Sequence, residues 1–346
     1  MNKTEEKIKK DKKSTEIIIH DRNLLIERGC YPSKFRLPVT IQFELTSNCN
    51  LRCKHCYNRS GISHHIDRMT SDKWIDFCKK IVDKGGILQA TISGGEPLLL
   101  GDQLWEIMDI LYEDNTVFNL ISNGFLVDDV VIRHLRKYQF YWVQISIDSF
   151  RSDYHDEFRG VRGSWERAAR AAYKIALSGI PLIIASTVTP RDLPSLEDYV
   201  KMAINLGATY FIIGEVMPSG RAFDNGDIFL SNEDRNCFYE EMEELQKKYK
   251  KKLSILVSGN TKVQLEYAAS GGIDGAIIRP DGNVRLDCTA PFYIGNILED
   301  DIEDIWQRKA NCWQHPLVTE YIASCDPING RNKMHENYND ADVFLS

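Results

Sequence analysis

The sequence predicts an α/β protein whose βα units build a parallel sheet, open or curled into a partial barrel. Short runs rich in β-branched and aromatic residues recur six times between Val39 and Gly214. Helical periodicity fills the stretches between them. From about residue 216 that rhythm breaks in a Pro/Gly/Asp-rich stretch, which separates a core from a smaller C-terminal α+β region.

Taken in order, residues 1–14 form a Lys/Glu run expected to be frayed or loosely helical, and 15–38 a lead-in of mixed character. The strand runs are 39–45, 88–93, 117–122, 142–148, 182–188 and 209–214. In 70–84, Trp74, Ile75, Cys78, Ile81 and Val82 recur at helical spacing, and Gly85-Gly86 supplies the stop. Segments 102–113, 128–137, 164–178 and 194–206 read the same way, and a charged helix follows at about 231–251. Pro280-Asp281-Gly282-Asn283, between Ala276–Arg279 and Val284–Leu286, signals a hairpin in a small appended domain. The expected divisions are a lead-in at 1–37, a core at 38–225 and a C-terminal domain at 226–346.

The 346 residues are 43% apolar and 27% charged, a balance that supports a sizeable core. A net charge of -7 argues against a nucleic-acid binder. No apolar run approaches the ~20 residues that cross a bilayer. The charged N-terminus lacks the apolar centre of a signal peptide. The expectation is a cytoplasmic protein with neither a membrane nor a nucleic acid as partner. Its nine cysteines are an odd number for a disulfide framework. In a reducing compartment, clustered thiols hold metal or do chemistry.

Cys49, Cys53 and Cys56 form that cluster, in a polar loop directly after the first strand. Three thiolates suit a soft metal. Structural zinc wants four closed ligands, which His55, His64 or His65 would complete. An iron–sulfur cube on three thiolates keeps one iron open. Gly94-Gly95-Glu96-Pro97 follows the second strand: paired glycines let the backbone approach a ligand, and Glu96 offers a carboxylate to an ammonium group. In parallel α/β sheets ligands bind beyond the carboxyl ends of the strands. Ser122-Asn123-Gly124, Ser146 and Asp148, Thr187, and Gly214-Glu215 all fall there. Together they form one polar rim around the thiols.

Cys-x3-Cys-x2-Cys followed by Gly-Gly-Glu-Pro resembles the radical SAM superfamily, over about residues 38–225. The resemblance implies a partial (β/α)6 barrel and a [4Fe–4S] cluster on Cys49, Cys53 and Cys56, with S-adenosylmethionine (SAM) on the open iron. It also implies SAM contacts for Gly94, Gly95 and Glu96 at the amino group, for Ser122, Asn123, Ser146 and Asp148 at the ribose or methionine, and for Arg159 at the carboxylate. Tyr57 is expected near the adenine, and Thr187 belongs to the same rim. An electron donor such as flavodoxin or ferredoxin is the implied partner.

Ile278 to Cys288, then Ile294-Gly295-Asn296-Ile297 and Ile305-Trp306, resembles the start of a SPASM domain. The cysteine usual before the hairpin is missing from Ala269–Gly272. The closing Asp340-Ala341-Asp342-Val343 has valine where a cysteine often stands. The expectation is a degenerate SPASM or twitch-like domain. Cys237, Cys288, Cys312 and Cys325 remain to hold at most one auxiliary cluster. Cys288, Cys312 and Cys325 are also candidate hydrogen-atom donors. The leading functional expectation is a radical SAM enzyme that modifies a ribosomally made peptide by cross-linking, thioether formation or epimerisation. The alternatives are a dehydrogenase or epimerase of a small molecule such as a sugar or aminoglycoside, and a zinc-stabilised module without catalysis.

Overall fold

The computed structural model describes residues 2–61, 67–272, 275–332 and 343–345. The elements run α1 (Lys3–Glu27), β1 (Thr40–Glu44), α2 (Ser71–Asp83), β2 (Gln89–Ser93), α3 (Asp102–Glu113), β3 (Val117–Ser122), α4 (Asp129–Leu135) and β4 (Phe140–Ser146). They continue with α5 (Ser152–Arg159), α6 (Ser164–Leu177), β5 (Leu182–Val188), α7 (Leu196–Asn205), β6 (Tyr210–Glu215), α8 (Asn232–Tyr249), β7 (Ser254–Val257) and α9 (Thr261–Tyr267). Last come β8 (Gly275–Ile278), β9 (Asn283–Arg285), β10 (Phe292–Asn296), α10 (Ile302–Cys312), α11 (Pro316–Ser324) and β11 (Val343–Phe344).

The described strands form one sheet in the order β11-β10-β9-β8-β1-β2-β3-β4-β5-β6-β7. From β8 to β7 every pairing is parallel, and the chain builds a curled, unclosed array. Alternation sets the two faces. Ile41, Phe43, Ala90, Ile92, Phe118, Val143, Ile145, Ile184 and Ile213 are fully buried beneath the helices. The intervening Gln42, Glu44, Thr91, Asn119, Gln144 and Ser146 give the other face a polar character. There the Asn119 amide donates to Thr91 Oγ1 at 3.2 Å.

The six expected strands are present within two residues of their expected ends. β4 stops at Ser146, so Asp148 lies two residues past the strand, in the loop. The expected 194–206 helix is split into a 3-10 turn at Pro190–Ser195 and α7, because a Thr189/Asp192 capping box starts the turn early. Two pairings went unread. β7 is a four-residue strand between a Lys-rich stretch and a Ser-Gly turn, and it extends β6. The expected hairpin is β8–β9, and β8 pairs with β1, so the C-terminal strands continue the core sheet.

The N-terminus corrects an expectation. Residues 3–27 form one 25-residue helix, not a frayed run followed by a mixed lead-in. Asn2 and Glu5 make a capping box, and Thr4 Oγ1 donates to Asn236 Oδ1 at 2.7 Å. Docking on α8 stabilises a helix whose own pattern is too polar to announce it.

Candidate active site

The carboxyl ends of β1 to β6 open onto a cavity of about 420 Å³. His55, Tyr57, Gly94, Ser146, Asp148, Arg159, Thr187 and Glu215 line one side of it, and Asn260, Gln264, Thr289 and Asn329 the other. The thiol loop follows β1 along this rim. Asp67 fastens its root, accepting from Thr46 Oγ1 at 2.6 Å and from Ser47 N at 3.0 Å. Its outer limb lies along the end of α5, where Arg52 N donates to Arg159 O and Lys54 N to Phe158 O, both at 2.9 Å. Arg221 closes the far side, Nε to Cys53 O at 2.9 Å and Nη1 to Ser60 O at 2.8 Å. Arg221 lies in the irregular 216–230 stretch, where no sequence pattern distinguishes it.

Leu51 N points at Cys49 Sγ at 3.4 Å, and the Asn123 amide lies 3.8 Å from the same sulfur. Burial raises the Cys49 thiol, and burial pushes the Cys53 thiol up to about 12. Among the described residues no three His, Cys, Asp or Glu side chains are drawn together as for a single metal ion, the three thiols of this loop included. His64 and His65, the other fourth ligands considered for zinc, lie outside the described residues. The loop nevertheless has features suited to a larger sulfur-rich group. It carries three sulfur donors, N–H groups directed at one of them, and two buried polar atoms without a partner, Asn50 Nδ2 and His55 Nδ1.

The Gly94-Gly95 turn wraps against this loop. Gly94 has φ +133°, and a Cβ there would press on Thr46 O. A Cβ on Gly95 would collide with Asn48 O, so only glycine lets β2 end against the thiol loop. Glu96 is fully buried just beyond. Its carboxylate accepts from Ser122 Oγ at 2.9 Å, Asn123 N at 2.8 Å and Leu98 N at 3.2 Å, tying the end of β2 to the end of β3. Burial pushes Glu96 up to about 7. An unfolded glutamate ionises near 4.5, so ionised Glu96 costs the fold stability. That cost is fully present above about pH 7 and vanishes below 4.5. Wild type is therefore expected to lose stability relative to Glu96→Gln as pH rises across this window. Urea midpoints at both ends of it check the result, and a constant difference counts against it.

Asp148 and Arg159 form the buried electrostatic centre. Arg159 Nε donates to Asp148 Oδ2 at 2.7 Å, and Thr187 contributes its backbone N–H to Oδ1 at 2.9 Å. Burial alone would raise Asp148. The Arg159 guanidinium, with His55 and His155 nearby, outweighs it and holds the carboxyl below its usual range. His55 stacks on Phe158 with ring centroids 4.6 Å apart, and burial lowers it to about 4, so it is neutral at pH 7. The sequence marked His55 only as a zinc alternative. Tyr57 donates its hydroxyl to Glu44 Oε1 at 2.8 Å. Glu44 went unread, although a carboxylate closing an otherwise apolar strand run was a visible signal.

The C-terminal cysteines diverge. Cys312 and Cys325 are embedded in the main hydrophobic core. Cys237 is exposed on α8. Cys288 lies within electrostatic reach of Tyr57 and Glu44, next to the cavity-lining Thr289, and burial raises its thiol. Asp340, Ala341 and Asp342 lie outside the described residues.

The profile of the Radical SAM superfamily matches residues 43–203, the stretch that holds the thiol loop, the glycine turn and the Asp148–Arg159 pair. The chain carries a radical SAM domain. It is 28% identical over 271 residues to the sporulation killing factor maturation protein SkfB of Bacillus subtilis, covering 78% of this chain. The chain spans 65% of SkfB's length. It is 27% identical over 290 residues to the AdoMet-dependent heme synthase of Methanosarcina barkeri, covering 78% of this chain and 82% of that one. In fold it is similar to Streptococcus suis SuiB, solved bound to its precursor peptide SuiA, with a TM-score of 0.63 at 16% identity over 87% of this chain and 69% of SuiB. Radical SAM proteins use a [4Fe–4S] cluster and SAM, and the three-thiol loop of this chain has the donor chemistry for the cluster.

Proposed function

We propose that this protein is a radical SAM enzyme that modifies a ribosomally made peptide. The carrying observation is the cavity, which meets the thiol loop on one side and a wall of amide and hydroxyl side chains on the other. Gln144, Ser186, Thr261, Gln264 and Asn329 on that wall are neutral and suited to a peptide's amides. The similarity to a protein named for maturation supports the same reading. The heme synthase keeps a second reading open, a small-molecule substrate in the same cavity.

In this reading Cys49, Cys53 and Cys56 hold the cluster, and Gly94, Gly95, Ser146 and Arg159 face SAM. When bound, the pair supplies reductive cleavage of the sulfonium and a 5′-deoxyadenosyl radical able to take a hydrogen atom from substrate. Glu96, Ser122 and Asn123 lock the ends of β2 and β3, and Asp148 keeps Arg159 charged and aimed. The cavity wall limits solvent access, which protects a reactive intermediate from side reactions. The C-terminal region is read as a degenerate SPASM domain. Among the described residues no helix is long and apolar enough to cross a membrane. We place the enzyme in the cytoplasm, where free thiols persist.

Anaerobic protein reconstituted with iron and sulfide, then given SAM and dithionite, is expected to release 5′-deoxyadenosine. Adding a precursor peptide encoded beside the gene should change that peptide's mass or its hydrolysate stereochemistry. Cleavage of SAM with no change in any such peptide favours the small-molecule reading. A colourless protein holding one zinc defeats both.

A further inference from the structure

We propose that the face of the thiol loop around Cys49 docks an acidic one-electron carrier protein. This rests on the radical SAM reading and names the partner that serves the same site. The chain as a whole is acidic, with a net charge of -7. Yet Arg52, Arg162 and Arg167 are all exposed on this face, and none pairs with a described carboxylate.

Their placement follows from local packing. Arg52 lies against Gly160, where an added Cβ would sit 3.0 Å from the arginine's own Cβ, and Arg162 stands two residues on in the same turn. Arg167, in the first turns of α6, holds its guanidinium 4.4 Å over the Phe125 ring. Phe125 N donates to Asn123 Oδ1 at 2.9 Å, and the Asn123 amide reaches Asn50 Oδ1 at 2.8 Å, beside Cys49. All three cations therefore border the Cys49 end of the loop.

Neighbouring carboxylates are already engaged elsewhere. Glu157 pairs with Lys54 and Arg191, and Glu166 with Arg170. Asp156 caps the start of α6 through Gly163 N, Ser164 Oγ and Trp165 N. The local potential is positive, which steers and orients an acidic protein more than it adds raw affinity.

The same face offers a short route inward. Arg52 Nη1 donates to Cys49 O at 2.7 Å, and Leu51 N points at Cys49 Sγ. A carrier seated here gives up one electron and is oxidised by one equivalent. The thiolate-held centre is reduced by that electron, with no bond or proton exchanged.

The test uses flavodoxin as the acidic probe. Its binding is titrated calorimetrically against wild type, Arg162→Glu, Arg167→Glu and the double variant at low and high salt. In parallel, 5′-deoxyadenosine formation is driven once by flavodoxin with its reductase and NADPH, and once by dithionite. The double variant is expected to lose about tenfold or more in flavodoxin affinity and most of the wild type's salt dependence. Arg162→Lys with Arg167→Lys should retain both, and dithionite-driven release should match wild type. No flavodoxin binding by wild type, unchanged affinity in the double variant, or an equal loss with dithionite overturns the proposal. Absence of dithionite-driven release from wild type overturns the radical SAM reading instead, and the binding titration still judges the surface.

Discussion

Cys53→Ala is expected to abolish iron uptake at the thiol loop and 5′-deoxyadenosine release. Losing an outer partner of a metal site typically costs roughly 10–100-fold, and removing a ligand costs more. Cys53 is the most buried thiol of the three, at 8% exposure. Its carbonyl is held by Arg221, and its neighbours Arg52 and Lys54 are bonded to the end of α5. No other thiol can swing into its place. With the thiol pushed up to about 12 by burial, the empty loop keeps it protonated, and a metal must displace that proton. Loading of the wild type should therefore improve as pH rises. Iron counting and the circular dichroism melt check the result together. A folded variant that still loads iron there and releases 5′-deoxyadenosine removes Cys53 from the ligand set.

Asp148→Ala is expected to cost about 3–5 kcal/mol of stability, the range for stripping one partner from a buried ion pair. Asp148 is 1% exposed and Arg159 7%, so water cannot replace the carboxylate. The loss also frees Thr187 N. The folded carboxyl ionises below the 3.8 of a free one. Its stabilising contribution is therefore fully present above the free value and disappears only as pH falls through the lower folded one. Urea unfolding at pH 7 measures the cost. A loss under about 1 kcal/mol would show that Arg159 finds another partner.

The core strands were legible because a sheet covered by helices demands apolar residues at every second position, and Ile41/Phe43 or Val143/Ile145 display that demand directly. The thiol loop and glycine turn were legible for a chemical reason: no other residues supply soft donors or tolerate the Gly95 approach to Asn48. The hydrogen-bond partners were not legible. Glu96 reads in sequence as a carboxylate offered to a ligand, and in the fold it is occupied by Ser122, Asn123 and Leu98. Tyr57 reads as an aromatic surface, and in the fold its hydroxyl is committed to Glu44. Both depend on contacts across more than ten residues of sequence.

Local chemistry in the chain was enough to establish the βα alternation, the thiol triad, the glycine turn and the polar strand ends. Burial and long-range pairing decided the rest. They made a continuous helix of residues 3–27, joined the C-terminal hairpin to β1, and put Cys312 and Cys325 into the core while leaving Cys288 near the cavity. The physical reason is that residue type and spacing are written along the chain. Desolvation, and the partner that offsets it, exist only once distant segments have packed.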